Sequence, residues 1–172
     1  SEINKMSEKE LLKARNLMWR NSTISDNFEP GSTIKALTVA AALDEGIINK
    51  DQTWVCDGKE SFNNGRTYIR CAKRSGHGKI KLEEVLAYSC NDAIMQISKE
   101  MGSRLFYKYQ TDFSLGKQSG IDLAGESIGQ VYTEDGMGAT QLATSSFGQS
   151  MSVPMIQVAA AFSSVINGGY YY

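Results

Sequence analysis

Apolar positions recur along most of the chain at the three- and four-residue spacing of a helix face. This spacing favours helices over strands, because an amphipathic helix places its apolar side chains on one side. Glycines and short polar runs separate the stretches and supply their ends. The pattern predicts helices over residues 6–19, 33–43, 82–88, 93–101, 105–113, 140–147 and 155–166, so the chain is expected to be mostly α.

Two short runs rich in β-branched and aromatic residues interrupt the helical pattern. Residues 53–56 and 66–71 are separated by the turn-forming sequence Asn-Asn-Gly at residues 63–65, so we expect the two runs to form a small hairpin. A glycine-rich polar stretch over residues 116–138 predicts a long surface loop. Residues 170–172 are expected to begin a further strand.

The helix predicted over residues 33–43 has no polar side, which is typical of a buried helix. Lys35 is its only charged residue, and burial should lower the pKa of Lys35 because it disfavours the charged form. Ser32 lies three residues earlier, on the same side of the helix. A hydroxyl beside a lysine that can be neutral is an activated nucleophile with its own base. Taken alone, the pair also fits an ordinary helix cap followed by a lysine that reaches solvent.

Composition and charge narrow the classes of function. The 172 residues suffice for one domain, and 41% hydrophobic with 22% charged residues is typical of a folded globular protein. The net charge of -1 argues against a nucleic-acid or membrane-surface role, since either needs a basic face. No apolar run approaches the roughly 20 residues that span a bilayer.

Three cysteines and one histidine limit the possible metal and triad chemistry. A zinc site would need Cys56, Cys71, Cys90 and His77 together, and no closely spaced pair among them nucleates one. The sequence therefore favours neither a metal site nor a cofactor, and three buried thiols are the simpler interpretation. A serine–histidine triad through His77 is not favoured either, because this residue stands between glycines in a predicted loop.

The sequence Ser89-Cys90-Asn91 falls between two predicted helices. By itself it indicates a helix cap, since serine and asparagine favour helix ends. Its functional alternative is a hydroxyl that relays protons and an amide that holds a substrate carbonyl.

Together these motifs carry a resemblance to a known family. The sequence EPGSTIK at residues 29–35 resembles the nucleophile motif of class B penicillin-binding proteins, and Ser-x-x-Lys followed by Ser-x-Asn is a signature of this enzyme group. Further stretches match in the same order, at residues 77–78, 89–91, 120–126 and 147–149. The likeness covers nearly all of residues 19–172, and within the class it favours a sporulation or elongation enzyme of a Gram-positive organism.

The resemblance implies a peptidoglycan transpeptidase. By it, Ser32 forms an acyl-enzyme with a D-Ala-D-Ala stem peptide, or with penicillin or another β-lactam, and Lys35 takes the serine proton. Ser89 relays protons towards the leaving group, and Asn91 holds the substrate amide. The implied location is the extracytoplasmic face of the cell membrane, reached through a single anchor upstream of this chain. No cofactor is implied.

One departure from the family pattern changes the expectation for this chain. The family's third motif, Lys-Thr-Gly on an edge strand, does not occur in the sequence. We therefore expect residues 1–172 to form a single partial transpeptidase domain. This would be the helical portion of the α/β fold, with most of the sheet missing. Such a piece is expected to be inactive alone and to self-associate through apolar surface left uncovered.

A location outside the cytoplasm would permit disulfides, which adds alternatives for the cysteines. A Cys56–Cys71 bond would staple the hairpin, whereas a Cys71–Cys90 bond would tether the Ser-x-Asn motif and could switch activity with redox state. Three free thiols remain the third alternative. Two other functions also stay open: a serine β-lactamase, for which the sequence identifies no base to activate water, and a non-catalytic binding module.

Overall fold

Helices dominate the computed structural model, which describes residues 6–171. Every helix that the apolar spacing predicts is present, with ends shifted by a few residues, and the mostly α expectation is confirmed. The helices in the described part are α1 (Glu8–Trp19), α2 (Ser22–Ser25), α3 (Ile34–Asp44), α4 (Leu82–Ala87), α5 (Asn91–Asp112), α6 (Ala139–Ser146) and α7 (Met155–Ile166).

The strands of residues 6–171 pair in three antiparallel sheets of two strands each. These strands are β1 (Asn27–Phe28) with β6 (Val153–Pro154), β2 (Thr53–Cys56) with β5 (Gly78–Lys81), and β3 (Lys59–Phe62) with β4 (Thr67–Arg70). The sheets are small, and β2 and β5 contribute side chains to the main apolar core. The chain therefore has the helical portion of a mixed fold, as expected.

The predicted hairpin is present, but one of its two strands was assigned wrongly. β4 pairs with β3 and not with residues 53–56. The turn lies where expected, with Asn63 and Asn64 both at a φ of 54°, in the left-handed region that asparagine tolerates. A tight turn pairs the residues that flank it directly, so the more distant β2 pairs with β5, a strand that was not predicted.

The predicted strand at residues 170–172 is not formed by residues 170 and 171, and residue 172 lies outside the described residues. The long loop over residues 116–138 is confirmed, with one isolated bridge between Gln130 and Ser152.

Helix α3 is the centre of the fold, as its apolar sequence predicts. It packs against α5, and most of its side chains are buried. One apolar cluster joins α3 to β2, β5, α4, α5 and α6, while a second joins the start of α3 to α7. A side chain at the start of α3 is therefore either buried against these two clusters or exposed at the surface beside them.

Helix α5 leads away from the Ser-x-Asn sequence and joins two of the predicted helices. Gly102 has a φ of 75° and a ψ of 163°, so the helical path is interrupted where the sequence predicts a break. The side chain of Cys90 caps the first turn by accepting from the N–H of Ala93 at 3.4 Å. This cap fixes the residues that precede α5.

Helix α1 forms as predicted but buries none of its residues. A capping box of Ser7 and Glu10 begins it, and its apolar residues are exposed, with Met18 at 81% and Trp19 at 82%. The expected self-association has its main support in this surface and remains a prediction. In the described part of the chain, no helix combines the length and apolar character needed to cross a membrane.

Candidate active site

Ser32 lies in a short 3-10 turn, Gly31–Thr33, that leads directly into α3. Gly31 has a φ of 57° and donates its N–H to the carbonyl oxygen of Gly148 at 2.9 Å. A Cβ atom at Gly148 would overlap the carbonyl group of Gly31, so only glycine permits this approach. The Phe-Gly-Gln stretch at residues 147–149 thus fixes the turn that presents the exposed Ser32.

Lys35 is buried in the first turn of α3, with only 2% of its surface exposed. Its Nζ donates to the carbonyl oxygen of Ser89 at 2.5 Å and to Ser89 Oγ at 2.8 Å. Burial lowers the pKa of Lys35 from 10.5 to about 8, against a smaller opposing effect of charge on Cys71 and Cys90. The lowered pKa that the sequence predicts is therefore present, and a substantial fraction of the amine is neutral near pH 8.

Ser89 occupies the turn between α4 and α5 and lies next to both Ser32 and Lys35. Its backbone has a φ of 52°, a region that non-glycine residues rarely adopt. The Ser89 hydroxyl donates to Ser32 Oγ at 3.0 Å. The three side chains therefore form a continuous hydrogen-bond chain from Ser32 through Ser89 to Lys35.

Asn91 is the first residue of α5, two positions after Ser89. Its half-buried side chain makes no hydrogen bond with another described residue. The structure thus brings Ser32, Lys35 and Ser89 into contact, and Asn91 follows Ser89 by two positions in the chain. One detail differs from the simplest expectation: within residues 6–171, Lys35 Nζ reaches Ser32 through Ser89 and not by a direct hydrogen bond.

The three cysteines are buried and unbonded. Cys71 Sγ and Cys90 Sγ lie 3.9 Å apart, well beyond the roughly 2.05 Å of a disulfide bond. A redox-dependent bond between them stays a prediction. Sequence reasoning did not foresee that Cys56 and His77 join the same cluster. The sequence indicates this cluster only weakly, because strands and loops separate its four residues along the chain.

Two further ionisable residues, His77 and Glu126, make structural contacts. His77 Nδ1 contacts Cys56 Sγ at 3.4 Å, and its ring stacks on Tyr88, so the geometry gives no support to a triad with Ser32. Glu126 Oε1 accepts from the N–H of Ser119 at 2.6 Å, which ties the surface loop together. Neither residue is positioned as a base for water.

A buried lysine is linked through a second serine to an exposed serine at the start of a central helix, which is the arrangement expected from the Ser-x-x-Lys and Ser-x-Asn motifs. The sequence profile described as "Penicillin binding protein transpeptidase domain" matches residues 2–172. The chain belongs to this family.

Individual relatives agree with that assignment. Stage V sporulation protein D of Bacillus subtilis (strain 168) is 39% identical over 89% of this chain and 24% of its own length. Peptidoglycan D,D-transpeptidase FtsI of Escherichia coli (strain K12) is 30% identical over 88% of this chain and 25% of its own length. A peptidoglycan synthetase from Bifidobacterium adolescentis superposes with a TM-score of 0.82 at 25% identity, over 90% of this chain and 28% of that one.

The resemblance to class B penicillin-binding proteins is thereby confirmed. The chain spans about a quarter of the length of these curated relatives, which are larger proteins.

Proposed function

We propose that this chain carries the acyl-transfer site of a peptidoglycan D,D-transpeptidase, with Ser32 as its nucleophile. The observation that supports this most directly is the hydrogen-bond chain from Ser32 Oγ to Ser89 Oγ at 3.0 Å and on to Lys35 Nζ at 2.8 Å. Family membership supplies the reaction class, and one relative is itself named a peptidoglycan D,D-transpeptidase.

In the first half of the reaction, Ser32 Oγ attacks the carbonyl carbon of the terminal D-Ala-D-Ala bond. The serine proton passes through Ser89 Oγ to the neutral amine of Lys35, so the hydroxyls then donate towards the lysine. The C–N bond breaks, and the proton returns along the same chain to the amine of the departing D-Ala. The stem peptide remains as an ester on Ser32.

In the second half, the amine of a neighbouring stem peptide attacks this ester. It gives its proton to the same chain, Ser32 Oγ regains a proton, and a new amide cross-link forms. A β-lactam enters the first half only: its ring amide opens, no leaving group departs, and the whole drug stays on Ser32. This difference makes β-lactams a probe of the site.

Asn91 and the backbone around Ser32 are proposed to bind the reacting amide. The free side-chain amide of Asn91 can both donate to and accept from a peptide group. Ser32 precedes α3, where the first N–H groups have no partner within the helix, so its N–H is suited to stabilise the developing oxyanion. In the family, the second oxyanion donor belongs to the Lys-Thr-Gly strand.

The test is the intact mass of the natural full-length protein after incubation with benzylpenicillin. We expect one drug molecule per chain, lost in Ser32→Ala and retained in the control Ser103→Ala on α5. An adduct that persists in Ser32→Ala, or no adduct on the natural protein, would refute the proposal. Rapid release of hydrolysed penicillin would identify a β-lactamase.

The 172-residue chain alone is expected to remain unacylated under the same conditions. The reason is that the second oxyanion donor and the contact to the substrate carboxylate come from the third motif in this family. Stoichiometric labelling of the chain alone would contradict this expectation.

A peptidoglycan substrate would put the site on the extracytoplasmic face of the membrane. Stem peptides and β-lactams are the proposed partners, and the net charge of -1 argues against nucleic acid. Self-association of the isolated chain through the exposed residues of α1 would appear in sedimentation velocity as a mass that rises with concentration. A monomer at all concentrations would rule it out.

A further inference from the structure

Four ligand-type side chains converge directly behind the Ser-x-Asn turn. Cys56, Cys71, Cys90 and His77 each offer one ligand atom, and these four atoms all lie within 4.8 Å of one another. Cys56 Sγ lies 3.4 Å from His77 Nδ1, and Cys71 Sγ lies 3.9 Å from both His77 Nδ1 and Cys90 Sγ. The three sulfur atoms belong to residues buried to 2% exposure or less.

Three of the six separations, at 3.4, 3.9 and 3.9 Å, are close to the edges of a tetrahedral zinc site, and the other three are within 4.8 Å. Bond lengths of about 2.3 Å for Zn–S and 2.0–2.1 Å for Zn–N put neighbouring ligand atoms roughly 3.5–3.8 Å apart. We propose that Cys56, Cys71, His77 and Cys90 bind one structural zinc ion. Nothing in this proposal depends on the acyl-transfer function, and the sequence spacing alone did not favour it.

The four ligand residues come from four separate segments of the chain. Strand pairing and close backbone contacts fix how these segments approach one another. Cys56 ends β2 and pairs in register with Gly78 on β5, which brings the neighbouring His77 to it. Cys71 follows β4, and its N–H bonds to the carbonyl oxygen of Gly58 at 2.9 Å. A Cβ atom at Gly76 would overlap the carbonyl oxygen of Cys56, so glycine is required for this close approach.

A backbone N–H group at the start of α5 also faces the cluster. The N–H of Ala93 points at Cys90 Sγ from 3.4 Å. On binding, each sulfur and His77 Nδ1 give one lone pair to the ion, and the thiol protons pass to solvent.

The ligand set favours zinc and a closed site. Three thiolates and one imidazole in a tetrahedron are a set that zinc uses in structural sites, whereas iron–sulfur clusters usually take four cysteines. Four protein ligands leave no open position for substrate. A disulfide would join only two of the sulfur atoms and would leave the third thiol and His77 without a shared role.

The metal would hold the Ser-x-Asn turn from behind, since Cys90 stands between Ser89 and Asn91. Ser89 is kept in a left-handed backbone conformation that is strained for a non-glycine residue, and an anchor at the next residue resists its relaxation. This consequence rests on the proposed function, whereas metal binding does not.

The test is the metal content of the natural full-length protein, expressed with added zinc and purified under reducing conditions without a chelator. Elemental analysis is expected to give about one zinc per chain. Cobalt in place of zinc should give intense visible bands and a sulfur-to-cobalt charge-transfer band, which report tetrahedral thiolate binding. The variants Cys56→Ser and His77→Ala should lose the metal and these bands.

The matched control is Asp57→Asn, which removes an exposed carboxylate next to Cys56 and should keep the metal in full. Variants that fail to fold do not decide the matter, because the cobalt titration uses the unaltered chain. A natural chain with far less than one zinc would overturn the proposal, as would peptide mapping that finds a Cys71–Cys90 or Cys56–Cys71 disulfide in place of metal. Full zinc retention in both ligand variants would overturn the assignment of the site. None of these outcomes depends on acylation at Ser32.

Discussion

Two clusters of side chains meet at one turn of the chain and differ in almost every physical respect. On one side, the Ser89 hydroxyl links Ser32 to Lys35 in a site that opens to solvent at Ser32. On the other, Cys90 Sγ lies in a buried group with Cys71, His77 and Cys56. Ser89 and Cys90 are neighbours in sequence, yet each belongs to a different cluster.

The difference shows how a reactive site and its support can share one segment of backbone. The hydroxyl and amine groups must exchange protons, so they cannot be locked into a single donor pattern. The turn that carries them must nevertheless stay fixed, because a catalytic constellation tolerates little displacement. A closed four-ligand cluster behind the turn supplies this rigidity without contact to the substrate.

Replacing Lys35, the proposed proton acceptor, should have the largest effect on the acylation rate. Lys35→Met leaves a side chain of similar length and no amine, so acylation of the full-length protein by a fluorescent penicillin should slow by about 10²–10⁴-fold. Stability should change little, because the removal of a buried cation offsets the loss of its two hydrogen bonds to Ser89.

Lys50→Met is the control, since that lysine is exposed and should label at the normal rate. Equal labelling rates in Lys35→Met and the natural protein would mean that another group accepts the serine proton.

The first cluster could largely be predicted from sequence, and the second could not. Ser32 and Lys35 lie on adjacent turns, so helical geometry and an apolar surround predict their proximity and the lowered pKa of Lys35. Ser89 and Asn91 came from the family resemblance. The cluster of Cys56, Cys71, His77 and Cys90 depends on the pairing of β2 with β5. The predicted hairpin paired β2 with β4 instead. Without the β2–β5 register, His77 has no reason to lie beside Cys56.

The pH dependence of acylation tests whether burial lowers the pKa of Lys35 in the first cluster. Burial lowers the pKa of Lys35 to about 8, and only the neutral amine accepts a proton, so the rate should rise as pH increases through 8 and then level off. Between pH 7 and 9 the neutral fraction grows roughly tenfold, and the rate should follow. The same profile is expected in Lys50→Met. A midpoint near the ordinary lysine pKa of 10.5, or a flat profile, would contradict the role given to burial.

Loss of metal should lower the stability of the protein more than it lowers the rate of acylation at Ser32. A tight chelator, or His77→Ala, removes a ligand-binding contribution of about 4 kcal/mol for an ion present at a thousandfold excess over its Kd. For a domain of this size, the melting temperature should then fall by on the order of ten degrees. Acylation of the full-length protein should slow only several-fold, because the reacting groups remain present.

Asp57→Asn treated in the same way serves as the control and should match the natural protein with and without chelator. A chelator that lowers the melting temperature but leaves the acylation rate unchanged would show that the two clusters are not coupled through the turn. A chelator that changes neither would contradict the metal site itself.

The ring of Tyr88 gives the smallest and most selective test of the coupling. It stacks on His77 with centroids 5.4 Å apart and an interplanar angle of 15°, and its hydroxyl bonds separately to Glu84 at 3.4 Å. Tyr88→Leu removes about 0.5–1.5 kcal/mol of aromatic contact, so zinc affinity should fall by less than about tenfold. Tyr88→Phe keeps the ring and should keep the affinity, which separates stacking from the hydroxyl contact. At saturating zinc both variants should acylate at the natural rate, because the imidazole is then held by the metal itself. A slower rate in Tyr88→Leu under those conditions would instead mean that Tyr88 acts on Ser89 directly, through the backbone that the two residues share.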